Sequence, residues 1–219
     1  MKFEYVFYPD ETKMFKIREL KDDDTKRKVF IDYYKKLYFL NNSIDDEKKI
    51  ISILKKKVDL TEDEIKHILV WKDKKKFCND KKTKYEDILS DVNDFKACIK
   101  GDLEYNIEKY MNCLNKLVTK DNIGSTYATT LMYFASNGTY PIYDQFAAKA
   151  VAALNDKFEY IDYTLPDKPQ KRYKEFVEGI LEIFSKEYKK REEDILIWRA
   201  VDQALWAYGH ISVFKKKEN

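Results

Sequence analysis

The sequence predicts a mainly helical fold, and two observations support that prediction. Glycine and proline are scarce, with 5 and 4 residues among 219, which disfavours turn-dense sandwiches and barrels. Apolar side chains recur at helical spacing over most of the chain. The clearest stripe comprises Leu103, Ile107, Tyr110, Met111, Leu114 and Val118. A single helical domain over residues 1–219 is expected, because no low-complexity linker or internal repeat divides these segments.

The N-terminal residues are the part of the chain that predicts β-structure. Residues 2–8 alternate loosely between apolar and polar side chains, and Pro9-Asp10 follows as a turn signal. A short β-hairpin, or a strand followed by irregular chain, is therefore expected within residues 1–20. The next segment is helical, with an apolar stripe of Phe30, Tyr33, Tyr34, Leu37 and Leu40.

Capping residues predict where several helices begin and end. Ser43 is expected to cap a second helix, and Thr61 with Glu64 forms a capping box at the start of a third. The lysine-rich residues 72–83 predict a loop. Asn137-Gly138 has the chemistry of a helix end. An alanine-dense helix over 147–154 follows, and we expect it to be the most buried element, since small residues let helices approach closely.

Charge and cysteine content exclude several classes of protein. The net charge of +3 does not by itself indicate nucleic-acid binding, and the lysine clumps are either solvated helix faces or phosphate-facing patches. Three cysteines without a CxxC pair and two distant histidines predict no disulfide framework and no metal or other cofactor. No segment has the length of a membrane span and no signal peptide is evident, so a cytoplasmic monomer is expected.

Residues 117–154 carry the most information about function. A helix ends near Val118, a turn follows through Gly124, and a new helix begins at about Ser125. The asparagine and glycine of this turn suit a positive φ, and Ser125 or Thr126 can cap the new helix. The exposed first amides of such a helix attract phosphate. Asp144 opens the next helix, either as a simple N-cap or as a carboxylate at the mouth of a groove.

This stretch resembles the core of the helix-hairpin-helix DNA glycosylases. Asn122-Ile123-Gly124 is similar to the family's glycine–hydrophobic–glycine hairpin, with the first glycine replaced. The residues Tyr140-Pro141-Ile142-Tyr143-Asp144 resemble the signature of a bacterial branch labelled 8-oxoguanine glycosylase-like. Residues 68–72 and 198–209 are similar to other segments of such proteins. The resemblance implies a glycosylase-like helical bundle with its hairpin core over residues 103–154.

The resemblance also implies a partner and a set of site residues. The partner would be double-stranded DNA, and Asp144 would be the catalytic carboxylate. Thr126 stands where bifunctional members carry a Schiff-base lysine, so a monofunctional glycosylase is expected. Tyr127 and Tyr143 would line a pocket for an extruded base. The expected nucleic-acid contacts are Lys120, Asn122, Gly124, Ser125, Thr126 and Lys149. The alternative is a non-catalytic nucleic-acid-binding or protein-interaction module that keeps the fold.

Overall fold

The mainly helical class is confirmed. The computed structural model describes residues 3–6, 17–56, 59–78, 83–99, 107–119, 123–155, 170–211 and 213–216. The helices among them are α1 (Ile17–Asp22), α2 (Asp24–Asn41), α3 (Ile44–Lys55), α4 (Glu62–Lys72), α5 (Lys74–Phe77), α6 (Tyr85–Ile99), α7 (Ile107–Thr119), α8 (Ser125–Ala135), α9 (Gln145–Leu154), α10 (Gln170–Lys190) and α11 (Ile195–Ile211). The strands are β1 (Phe3–Val6) and β2 (Val213–Lys216). The glycosylase-like arrangement of these helices stays a prediction.

The chain divides into two compact units. Unit 1 takes in the described residues of 1–42, 143–164 and 172–219, and unit 2 those of 43–142 and 165–171. The predicted hairpin core is thereby divided, because α7 and α8 belong to unit 2 and α9 belongs to unit 1. The single domain over residues 1–219 stays a prediction.

Unit 1 is built around α11, which packs against both α2 and α9. Its core is aromatic: the Phe30 ring lies 5.4 Å from that of Tyr208 and 5.9 Å from that of Phe184, which ties α2 to α11 and α10. The buried Arg27 side chain reinforces this packing. It donates to the carbonyls of Leu20 and Lys21 at 2.7 and 2.9 Å and pairs with a glutamate of α10 at 3.2 Å.

Unit 2 packs α8 against α4, α6 and α7. Every residue of α8 from 128 to 135 is buried, as expected of a helix that is apolar on all sides. The alanine-rich α9 leaves residues 145, 146, 149 and 152 at least partly exposed, so the prediction that it is the most buried helix is wrong. Tyr110 and Tyr140 stack at 4.5 Å beneath Phe95 and complete the core of unit 2.

Only β1 of the predicted N-terminal hairpin belongs to a described strand, because residues 7–16 lie outside the described residues. β1 pairs antiparallel with β2 near the other end of the sequence, with Phe3 opposite Lys216 and Val6 opposite Val213. Residues 17–20 of the predicted hairpin belong to helix α1 instead. The paired strands are about two hundred residues apart in the sequence, so no local turn motif indicates their pairing.

Two further sequence predictions are corrected by the helices. The predicted loop over 72–83 contains the single-turn helix α5, which Asp73 caps by accepting from the Lys76 amide at 3.0 Å. Leu40 was expected on the inward stripe of α2 but is 79% exposed, since the core-facing residues of this helix end with Tyr38.

The capping predictions outside the hairpin are confirmed. The Ser43 hydroxyl accepts from the Asp46 amide at 3.3 Å, and Thr61 and Glu64 form the predicted capping box at the start of α4. The turn after α8 uses Asn137 and Gly138, whose φ angles are 49° and 77°. The Gly138 amide donates to the Tyr133 carbonyl at 2.8 Å, which closes the end of the helix.

Candidate functional site

The first turn of α8 lacks a side-chain cap. The N-cap residue is Gly124, which has no side chain that could accept from the amides that follow it. The prediction that Ser125 or Thr126 caps this helix is wrong, because both residues already lie inside its first turn. Gly124 has a φ of −40°, so the positive φ expected in this turn is not found there. Gly124 is exposed, and among the described residues the first turn of α8 contains no acidic side chain that would pair with the positive end of the helix dipole.

The side chains of this first turn point to different neighbours. Ser125 and Thr126 are half-buried, and the Thr126 carbonyl accepts hydrogen bonds from the hydroxyls of Thr129 and Thr130 at 2.9 and 2.8 Å. A threonine hydroxyl cannot form a Schiff base, so Thr126 offers no amine for lyase chemistry. Lys120 and Asn122, which were predicted to contact nucleic acid, lie outside the described residues.

Tyr127 fixes the start of α8 to the junction of α4 and α5. Its hydroxyl donates to Asp73 Oδ2 at 2.7 Å, and its ring meets that of Phe77 edge-on at 4.9 Å. The Lys76 Nζ atom lies 4.4 Å from the centre of the same ring. The hydrogen bond from Tyr127 lowers the pKa of Asp73, while burial and that carboxylate raise the pKa of Tyr127 to about 12.

Asp144 caps α9 and remains partly open to solvent. Its Oδ1 atom accepts from the Phe146 amide at 2.8 Å, and its side chain is half-buried. The hydrogen bond fixes the direction of the carboxylate at the mouth of the helix. Asp144 is therefore the N-cap of α9, as the first of the two alternatives predicted, and its side chain remains partly accessible to solvent.

An aromatic cluster within unit 1 includes Phe146, two residues after Asp144. We call Phe146, Trp206 and His210 the aromatic platform. His210 stacks on Trp206 with ring centres 4.6 Å apart and planes 9° apart, and Phe146 meets both rings edge-on at 4.7 and 5.7 Å. Phe146 and Trp206 are half-buried and His210 is exposed. Lys149 places its Nζ atom 5.4 Å from the centre of the Phe146 ring.

The platform depends on a close approach of α11 to α9. A Cβ atom on Gly209 would lie 1.8 Å from the Phe146 carbonyl oxygen, so only glycine fits at this position. The sequence did not predict this cluster, since its three rings come from two helices that lie about sixty residues apart in the sequence. The spacing of Trp206 and His210 by four residues is the signal that was present.

One other predicted site residue, Tyr143, lies in the interior. Tyr143 is 1% exposed and packs against the ring of Phe176 at 5.0 Å, so its side chain is part of the core of unit 1. Asp202 forms an ion pair with Arg199, which also donates to the Tyr38 hydroxyl at 3.1 Å.

The structure therefore gathers the predicted site residues into two sets. Gly124, Ser125, Thr126 and Tyr127 lie together at the start of α8 in unit 2. Asp144 and Lys149 lie at the start of α9 in unit 1, beside the aromatic platform. Within the described residues, no group of three or more histidine, cysteine, aspartate or glutamate side chains is arranged to hold a metal ion.

Comparison of the chain with family models, with curated proteins and with solved structures finds no match. The function therefore has to be argued from the site itself. None of the helices in the part of the chain that the structure describes is long and apolar enough to cross a membrane.

Proposed function

We propose that this chain is a monofunctional DNA glycosylase-like protein that removes a damaged base from double-stranded DNA. The observation that carries the proposal is the partly open Asp144 carboxylate, held by its bond to the Phe146 amide and flanked by the aromatic platform. A carboxylate and a stacking surface are the two groups that hydrolysis of an extruded nucleoside requires. Both lie in unit 1.

The reaction proceeds without a covalent enzyme intermediate. The bond between C1′ and the base breaks with its electron pair leaving on the base, and positive charge develops on the sugar. The Asp144 carboxylate stabilises that charge and accepts a proton from the attacking water, whose oxygen bonds to C1′. The departing base takes up one proton from solvent and Asp144 returns the proton it accepted to solvent, so that one water molecule is added across the C1′–base bond and an abasic site remains. Thr126 supplies no amine, which agrees with hydrolysis rather than strand cleavage.

The aromatic platform and the start of α8 serve binding in this proposal. The half-buried rings of Phe146 and Trp206 offer a surface on which an extruded base can stack. The uncapped amides of α8 suit a backbone phosphate, since they carry the positive end of the helix dipole. Lys149, held over Phe146, provides a cation for a phosphate near the same base.

The second candidate is a non-catalytic nucleic-acid-binding module. Asp144 already accepts a hydrogen bond as the cap of α9, which by itself explains an aspartate at that position. Thr126 in place of a lysine fits this candidate equally well. Base release is the property that separates the two functions.

The experiment incubates duplexes that carry different base lesions with the protein and scores abasic sites by alkaline cleavage. Asp144→Asn keeps the capping oxygen and removes the charge, so the fold is retained while release falls by about 100-fold or more. Asp23→Asn is the matched control, because Asp23 caps α2 in the same unit through the Thr25 and Lys26 amides. We expect the control to release base at the wild-type rate.

Two outcomes would contradict the enzymatic proposal. Wild-type protein that binds duplex DNA yet releases no base from any lesion would establish the binding module instead. Equal release by wild type and Asp144→Asn would remove Asp144 from the reaction. Failure to bind any duplex at low salt would reject both nucleic-acid functions.

A further inference from the structure

A dense group of lysines lies where α4 passes into α5. We call Lys72, Lys74, Lys75 and Lys76 the lysine segment. The side chains of Lys74, Lys75 and Lys76 are exposed, and that of Lys72 is half-buried. Asp73 is the one acidic residue within this stretch, and its carboxylate is engaged by the Tyr127 hydroxyl and the Lys76 amide at 2.7 and 3.0 Å. The segment therefore presents a strong net positive charge.

The lysine segment rests on a rigid support. Phe77 is 1% exposed and anchors α5 in unit 2, and its ring contacts Tyr127 of α8. Asp73 joins the two helices, since its amide donates to the Leu69 carbonyl at 2.9 Å while its side chain caps α5. A fixed backbone reduces the conformational entropy lost when the lysines bind a ligand. This arrangement differs from a flexible basic tail.

The lysines have few internal partners. Within the residues that the structure describes, Lys74 and Lys75 form no ion pair. The Lys76 ammonium group lies over the Tyr127 ring, which directs it toward the start of α8. The acidic residues of α4, Glu62, Asp63 and Glu64, lie in its first turn, about 12–15 Å from Lys72 at 1.5 Å per residue. Adjacent ammonium groups repel one another, and a bound polyanion would relieve that repulsion.

We propose that the lysine segment is a docking surface for the phosphate backbone of duplex DNA. Three exposed ammonium groups in one helical turn match a polyanion of closely spaced phosphates. An anionic membrane is the less suitable occupant, because a membrane-binding basic segment usually adds exposed apolar side chains, and Phe77 is buried here. The inference shares the DNA partner of the proposed function but does not depend on base release.

The test measures the affinity of the full chain for a fluorescein-labelled, lesion-free duplex between 50 and 200 mM NaCl. Each phosphate contact contributes about 0.9 to the slope of log affinity against log salt. We expect Lys74→Gln with Lys75→Gln to reduce that slope by about 2 and the affinity at 0.1 M salt by about 10- to 100-fold. The matched control is Lys49→Gln with Lys55→Gln on α3, which removes the same charge from exposed positions in unit 2.

Three results would overturn this inference. Equal losses in the two double variants would mean that net charge, rather than the lysine segment, governs binding. An unchanged slope in the first variant would exclude phosphate contacts by Lys74 and Lys75. Binding of the wild type to phosphatidylserine vesicles and not to the duplex would assign the surface to a membrane.

The Asp144→Asn variant separates this inference from the proposed enzymatic function. In that variant base release is lost, so its binding to the duplex, and the dependence of that binding on Lys74 and Lys75, are measured without the reaction. Lysine-dependent binding without base release by the wild type would sustain the docking surface and reject the enzyme. Base release that is insensitive to Lys74 and Lys75, at salt concentrations where binding is limiting, would reject the docking surface alone.

Discussion

The starts of α8 and α9 are built in opposite ways. α8 begins at Gly124 without a side-chain cap, whereas α9 begins at Asp144, whose carboxylate accepts from the second amide after it. Near the start of α8, the Lys76 ammonium group lies over the Tyr127 ring. The start of α9 carries the negative charge of Asp144 and contributes Phe146 to the aromatic platform. One capping residue thus decides whether a helix start favours an anion or carries one. In the proposed function, phosphate binding and charge stabilisation are assigned to these two different starts.

The largest expected effect on stability concerns Gly209, which packs against the backbone at the start of α9. Gly209→Ala would place a Cβ atom 1.8 Å from the Phe146 carbonyl oxygen, and a backbone atom cannot turn aside. We expect the free energy of unfolding to fall by about 2–4 kcal/mol, measured by urea denaturation. Gly124→Ala at the start of α8 is the control, since its nearest neighbours would be Tyr127 ring carbons at 3.6 and 3.7 Å. A change of about 1 kcal/mol or less is expected there, and equal effects would refute the close approach.

A smaller effect on stability is expected from the hydrogen bond between Tyr127, at the start of α8, and Asp73. Tyr127→Phe removes the donor to Asp73, and we expect the free energy of unfolding at neutral pH to fall by about 1–2 kcal/mol. The lowered pKa of Asp73 means that this stabilisation is present above the unfolded pKa and is lost as the pH falls through the folded one.

The dependence of this stabilisation on pH in the alkaline range follows from the pKa of Tyr127. Burial and Asp73 raise the pKa of Tyr127 to about 12, so its contribution is complete below the unfolded pKa and is lost as the pH rises through about 12. The stability difference between wild type and Tyr127→Phe should therefore form a plateau between about pH 4 and pH 10. A difference that does not change below pH 3 would argue against the Asp73 contact.

The smallest effect on stability is expected from giving α8 an aspartate N-cap like that of α9. Gly124→Asp would cap α8 and raise the free energy of unfolding by a few tenths of a kcal/mol, roughly the difference between these residues as N-caps. It would also repel phosphate, and we expect the affinity for duplex DNA to fall by about tenfold at low salt. Gly124→Ser caps without charge, so a similar loss in both variants would attribute binding to the amides rather than to electrostatics.

Local signals in the sequence predicted most of the helices and several of their ends. The caps at Ser43 and Thr61 and the turn at Gly138 each depend on residues within one helical turn of each other. The β1–β2 pairing was missed because its strands are far apart in sequence. The cap of α8 was misplaced by one or two residues, since a glycine cap gives no side-chain signal.

The candidate site could be predicted only where one segment carries it. Asp144 was found from its place after Pro141, and its capping role follows from the same local pattern. The aromatic platform arises from the packing of α9 on α11, and the support of the lysine segment arises from the Tyr127–Asp73 bond across 54 residues. Contacts of this kind depend on tertiary packing, which periodicity does not encode.

The interleaving of the two units has a consequence for the order of folding during synthesis. The helices of unit 2 that precede Tyr143 emerge in one continuous stretch, so their contacts can form as soon as that stretch leaves the ribosome. In unit 1, α2 must wait for α11, which follows it by about 150 residues, or roughly 8–30 s at ordinary rates of translation. During that interval the aromatic face of α2 lacks the helix that buries it in the folded protein.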